Sequence, residues 1–183
     1  NSRNDRIKNF IVNNKNKIIS SIIVILIIIV SFYSFDKFKK NQKKKISDDF
    51  NLATIEYSEN TKDKTINKLI EIVNEKDSSY SPLSLYFIID NKLISDQDQV
   101  NDLFDILINQ TPLENEIKNL VIYKKALYNA DQFSEGDLLS TLNPLINSKS
   151  VWKSHALYLM AEYFYAKEQN QKAKEFFNQI ISL

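Results

Sequence analysis

Two hydrophobic patterns follow one another along this chain. From Ile18 to Phe35 the run IISSIIVILIIIVSFYSF carries no charge. It is apolar on every side of a helix, and at roughly 1.5 Å per residue it spans about 27 Å, close to the hydrocarbon thickness of a bilayer. Phe32, Tyr33 and Phe35 stand at one end of the run, where aromatic rings favour the membrane interface. The pattern predicts a transmembrane helix over residues 18–35. A buried core helix would need cover on all sides, which a domain this small can hardly supply. A cleaved signal would need a small-residue cleavage site, and SFDKFKKNQKKK follows instead.

From Phe50 onward the pattern becomes one-sided. Phe50, Ala53 and Tyr57 fall on one helical face, and Ile66, Ile70 and Val73 on the next. Ser47, Thr61, Ser81, Thr111 and Ser134 each precede a helical stretch and are expected N-caps. Pro82 and Pro112 suit the first helical position, and Thr111-Pro112-Leu113-Glu114 reads as a capping box. Ser95-Asp96-Gln97-Asp98 and Ser134-Glu135-Gly136-Asp137 imitate that box with Asp. Pro144 is expected to end or kink its helix. The three prolines and single glycine leave too little turn chemistry for an all-β fold.

A period links the helices. Leu83, Leu120 and Leu157 recur at equal spacing, with Tyr86, Tyr123 and Met160 three residues after each. Val100, Gly136 and Ala173 open the second helix of each pair. A fixed period of about 20–50 residues marks a solenoid, in which each pair buries its apolar face against the next. The predicted fold is therefore all-α: a transmembrane helix followed by an α-solenoid of about four helix pairs. Residues 1–17 form a basic N-terminal segment, 36–46 a lysine-rich juxtamembrane segment, and 47–183 the repeat domain.

The last pair resembles a tetratricopeptide repeat. Leu157, Met160, Ala161 and Phe164 match the first helix of that motif, and Ala173, Phe177 and Ile180 match the second. Earlier pairs depart from it, with Lys124 where a small residue belongs and Ser140 where an aromatic does. The layout as a whole is similar to a family of bacterial inner-membrane proteins with one N-terminal anchor and a periplasmic tetratricopeptide-like domain. That family includes the ancillary subunit of the Sec translocon. The resemblance is strongest over LNPLINSKSVWKSHALYLMAEYFYAKEQNQKAKEFFNQI, from Leu142 to Ile180. It implies a cytoplasmic N-terminus and a periplasmic domain. It also implies association with the translocon and with periplasmic chaperones or exported chains.

Charge is unevenly divided. Residues 1–46 carry eleven Lys or Arg against Asp5 and Asp36, whereas residues 47–183 carry 13 basic and 21 acidic residues. An acidic domain repels phosphate backbones, so nucleic acid is not an expected partner. Arg3, Arg6, Lys8, Lys15 and Lys17 precede the apolar run, and Lys37, Lys39, Lys40, Lys43, Lys44 and Lys45 follow it. The positive-inside bias is almost tied, leans slightly towards a cytoplasmic C-terminal side, and leaves orientation open on charge alone. Both flanks suit lipid headgroups.

Catalytic chemistry is not expected. The chain has no Cys, and its only His, His155, lies on a helix expected over Val151–Glu168. One His makes no metal site, nothing supplies a Ser-His-acid set, and a single Gly leaves no phosphate-cradling loop. Trp152 reads as a packing anchor. No cofactor and no small-molecule substrate are expected.

What remains is a surface. In tetratricopeptide domains the first helices of the pairs line the concave side. By that resemblance Lys118, Val121, Lys125 and Tyr128 from one pair face the groove, beside His155, Tyr158, Glu162 and Tyr165 from the next. The alternative expectation is a cell-envelope coordinator that self-associates through its repeats.

Overall fold

A computed structural model describes residues 3–183, apart from the side chains of residues 3–5, 11 and 18. The expected start of the basic segment at Asn1 lies outside the described residues. Helices account for every regular element among them, and no strand is present. They are α1 (Arg3–Asn13), α2 (Lys15–Ile55), α3 (Lys62–Asn74), α4 (Tyr80–Asp90), α5 (Gln97–Gln110), α6 (Asn115–Asn129), α7 (Glu135–Ile146), α8 (Lys153–Ala166) and α9 (Asn170–Ile181). One 3-10 turn, Glu59–Thr61, precedes α3. The chain divides into two compact units, Asn1–Lys45 and Ile46–Leu183.

In the first unit, α2 is long and apolar enough to cross a membrane, and none of its most apolar stretch is buried against protein. The helix does not stop at the lysines. No Gly or Pro interrupts residues 1–81, lysine favours helix, and Lys40 pairs with Asp36 one turn back at 2.8 Å. Ser47 is therefore not the helix cap that its sequence context suggests. It lies within α2, and its hydroxyl accepts a hydrogen bond from the Tyr80 hydroxyl at 2.6 Å.

In the second unit each helix from α3 to α9 packs on its successor, and α3 also touches α5 while α6 touches α8. Two apolar cores result. Leu69, Val73, Leu85, Ile88, Val100, Leu103, Phe104, Leu107 and Val121 form the first, with Ala53 at its edge. Ile122, Ala126, Leu138, Leu142, Leu145, Ala156, Met160, Phe164 and Ala173 belong to the second. Val121 and Ile122 are adjacent in sequence, so α6 is the wall that both cores share. Phe50 against Tyr80 and Tyr57 against Phe87, each with ring centroids 5.7 Å apart, bring the end of α2 and the turn after it into the first core.

Several caps differ from the sequence expectation. Asp96, not Ser95, caps α5, accepting from the Asp98 and Gln99 amides at 3.0 and 3.2 Å. Ser134 caps α7 as expected, accepting from the Asp137 amide. Thr61 stands at the start of α3, yet its hydroxyl turns back to the Glu56 carbonyl at 2.8 Å. The Thr111–Glu114 box does not form. Thr111 closes α5 by donating to the Ile106 carbonyl, and α6 starts only after Glu114, so Pro112 lies in the connection. Ser81 is buried inside α4, and its hydroxyl ties α4 to α3 through the Ile72 carbonyl at 2.7 Å. Pro144 lies inside α7, which does not end at it but continues to Ile146; lacking an N–H, it leaves the Ser140 carbonyl without its usual helical donor. Helix α8 is shorter at both ends than expected, because Trp152 sits at its N-cap and Glu168 leaves the helical region.

Three helices end in the left-handed region without glycine. Lys76, Lys92 and Glu168 have φ of 55°, 51° and 59°. After α4 the Lys92 amide bonds to the Ile89 carbonyl and the Leu93 amide to the Ile88 carbonyl. This double bond pattern closes the helix, and Leu93 then tucks into the core. Each such side chain costs about 1 kcal/mol relative to glycine at the same φ.

The α5–α6 contact includes a polar seam. Gln97, Asn101 and Asp105 recur every four residues on α5. The Gln97 amide donates to the buried Asn129 side chain at 2.8 Å, and Asn101 and Asn129 exchange hydrogen bonds at 2.8 and 3.1 Å. Asp105 meets the Lys125 ammonium at 2.8 Å.

Two outcomes are expected from thermal or urea unfolding of the full chain in detergent. Lys92→Gly should stabilise by about 0.5–1 kcal/mol, raising the midpoint. Asn129→Ala should destabilise by about 1–3 kcal/mol, because it leaves the Gln97 and Asn101 amides without their shared partner.

Candidate protein-interaction face

The alternate helices α4, α6 and α8 share an uneven face. Between α4 and α6 lies a cavity of about 420 Å³, lined by Pro82, Leu83 and Tyr86 on one side and Glu114, Ile117 and Leu120 on the other. Between the ends of α6 and α8 lies a second, of about 460 Å³, lined by Leu127, Ala130 and Asp131 against Leu159, Glu162, Tyr163 and Lys167. Leu83, Ile117 and Leu127 are 45%, 40% and 50% exposed, large values for aliphatic side chains in a packed domain. Both hollows combine aliphatic side chains with carboxylates, Glu114 in the first and Asp131 and Glu162 in the second.

The open face of α6 is therefore Ile117, Leu120, Lys124 and Leu127, recurring every three or four residues, with Asp131 in the turn beyond the helix. The four α6 residues expected there lie one position further on, a rotation of about 100° around the helix. Val121 is fully buried in the first core and cannot reach a groove. Lys125 is held against Asp105 of α5, with its side chain only 16% exposed. Tyr128 packs its ring 6.0 Å from Phe104, and Lys118 is half-buried. Val121, Lys125 and Tyr128 turn towards the preceding helix and its core.

On α8 the expected stripe is exposed. His155, Tyr158, Glu162 and Tyr165 all reach solvent, and of these Glu162 lines a cavity. Tyr158 donates its hydroxyl to the Glu162 carboxylate, and that bond together with the negative charge raises the phenol above its ordinary range. Burial, and then the same carboxylate, raises Tyr123. His155 sits 5.1 Å from Trp152 and 5.8 Å from Tyr123, while Tyr123 and Trp152 stack at 5.7 Å. Trp152 thus anchors the start of α8 to α6 by ring stacking.

Two features of the α4–α6 cavity were not legible in the sequence. The Lys124 ammonium lies 4.4 Å over the Tyr86 ring, so the long side chain at the position of a small residue bridges the gap between helices. The Tyr86 hydroxyl oxygen is buried with no hydrogen-bond partner among the described residues, and burial raises its pKa far above 10. The sequence signal that would have found the face is the spacing of Leu83, Ile117, Leu120 and Leu127. These apolar residues are surplus to the positions that α4 and α6 bury.

Leu83 and Leu157, equivalent by the sequence period, have unequal surroundings. Leu157 is fully buried whereas Leu83 opens onto the cavity. Comparisons with protein-family models, with curated proteins and with solved structures return no match.

Tyr86→Phe removes a buried hydroxyl that has no partner, so it should leave stability unchanged or raise it by about 1 kcal/mol at pH 7. The pH dependence has a definite sign. The folded chain holds the Tyr86 proton more tightly than the unfolded chain does, so this contribution is complete below pH 10 and is lost as pH rises above 10. Urea unfolding between pH 8 and 11 should show a shallower alkaline decline for Tyr86→Phe than for the parent.

Proposed function

We propose that this chain is a single-pass, membrane-anchored protein-interaction scaffold. In this reading residues 18–35 cross the bilayer and the second unit is an α-solenoid of four tetratricopeptide-like helix pairs. The pairs are the end of α2 with α3, α4 with α5, α6 with α7, and α8 with α9. Packing of each helix from α3 onward on its successor, with α3 also on α5 and α6 also on α8, supports stacking of the later pairs, and Phe50 seats the end of α2 against the first core. The first helices of the last three pairs are then α4, α6 and α8, the helices that carry the two cavities.

The observation that carries the reading is this pair of apolar hollows between successive first helices. Leu83, Ile117 and Leu127 expose more apolar surface than folding alone explains, and exposed apolar ground rimmed by charge suits protein partners. By the resemblance of its layout, the chain is an ancillary, translocon-associated protein of the bacterial inner membrane. Its N-terminus is cytoplasmic, and its periplasmic domain binds chaperones or exported chains. Tethering at the membrane raises effective concentration, so modest groove contacts suffice. The acidic domain disfavours nucleic acid, and the reading assigns no catalytic step, cofactor or small-molecule substrate.

A second reading, self-association, is favoured by α9. Ala173 is its one buried residue, Phe176, Phe177 and Ile180 are half-exposed, and Ile181 is 84% exposed.

Isolation of the full chain in mild detergent separates the two. The parent should recover translocon or periplasmic-chaperone components. Ile117→Asp with Leu127→Asp should cut that recovery roughly tenfold or more with the unfolding midpoint little changed. Recovery of the parent without such components would sink the first reading. A dimer in light scattering that Ile181→Asp dissolves would favour the second.

A further inference from the structure

Helix α1 has no role in the scaffold described so far. It runs Arg3–Asn13 and is separated from α2 by the single turn residue Asn14. The Asn14 amide and its side-chain amide both donate to the Phe10 carbonyl at 3.0 Å, so α1 has a capped end of its own. Ile7 and Phe10, three positions apart and so on one face, are 52% and 65% exposed.

Charge says what covers that face. Arg3, Arg6, Lys8, Lys15 and Lys17 face a single carboxylate, Asp5, in residues 1–17. Only residues 14–17 separate α1 from the apolar run, roughly 6 Å of helical rise. Arg6 and Lys8 are roughly 15–18 Å of helical rise from the run, beyond the Debye length of about 8 Å at physiological salt, so these charges meet headgroups where α1 lies along the surface. We propose that α1 is an interfacial helix that reads an anionic leaflet. Ile7 and Phe10 enter the boundary of the acyl chains, and Arg6 and Lys8 meet lipid phosphates. This rests on the membrane reading of residues 18–35. It adds a lipid class that the apolar run, which is indifferent to headgroup charge, does not select.

The test uses the full chain in vesicles, with Trp152→Phe as a background free of other indoles. Phe10→Trp reports α1, and Leu26→Trp reports the apolar run. Vesicles are pure phosphatidylcholine or contain phosphatidylglycerol as well, each with brominated lipid as quencher. The position-10 indole should be quenched strongly only with phosphatidylglycerol. Arg6→Gln with Lys8→Gln should weaken that surface partition roughly thirtyfold. The position-26 indole should be quenched in both vesicles. A position-10 indole that escapes quenching, or is quenched equally in both, overturns this inference alone. A position-26 indole that escapes in both overturns the membrane reading and this inference with it.

Discussion

The second unit depends on one helix having two inner faces. Helix α6 gives Val121 to one core and Ile122 to the other, and Ala126 again to the second. A helix at the edge of a domain buries one stripe, but α6 buries two, about 100–140° apart around its axis. The strip left over, which carries Ile117, Leu120, Lys124 and Leu127, is fixed in direction by both cores. Any surface function of α6 is confined to that strip.

Constraint on α6 also explains why hollows form beside it. Helix α4 packs most closely on α3 and α8 on α9, while bulky side chains stand between α6 and its neighbours α4 and α8. Lys124 over Tyr86 is such a spacer on one side. Tyr123 stacked on Trp152 is one on the other. Small residues at those positions would let the helices close together. The open face is thus a by-product of large residues at crossing points, and its depth is set by them.

Element type and order were legible, because 3.6-residue periodicity is strong wherever one face is buried. The uncharged run at Ile18–Phe35 and the helices that followed it could be read directly. Helix starts were harder. Ser47, Ser81 and Thr111 have cap chemistry, but hydroxyls also serve as ties between helices, and only packing decides which. The ends after α3, α4 and α8 carried no glycine to announce them. The face of α6 was misplaced by one residue, since Val121 and Ile122 are both buried and a pattern built for one core cannot assign both. The buried Asn129, polar in name and interior in fact, had no signal at all.

The polar seam between α5 and α6 has a further bearing on the chain. Apolar stripes are tolerant: leucines from one helix can slide against those of another at modest cost. Amides are not, since Asn129 satisfies Gln97 and Asn101 together at only one alignment. Where look-alike segments follow one another, mispairing is the standing hazard. A single directional lock at the join makes the sequence of stacking unique, and it does so at the join where the two greasy interiors meet.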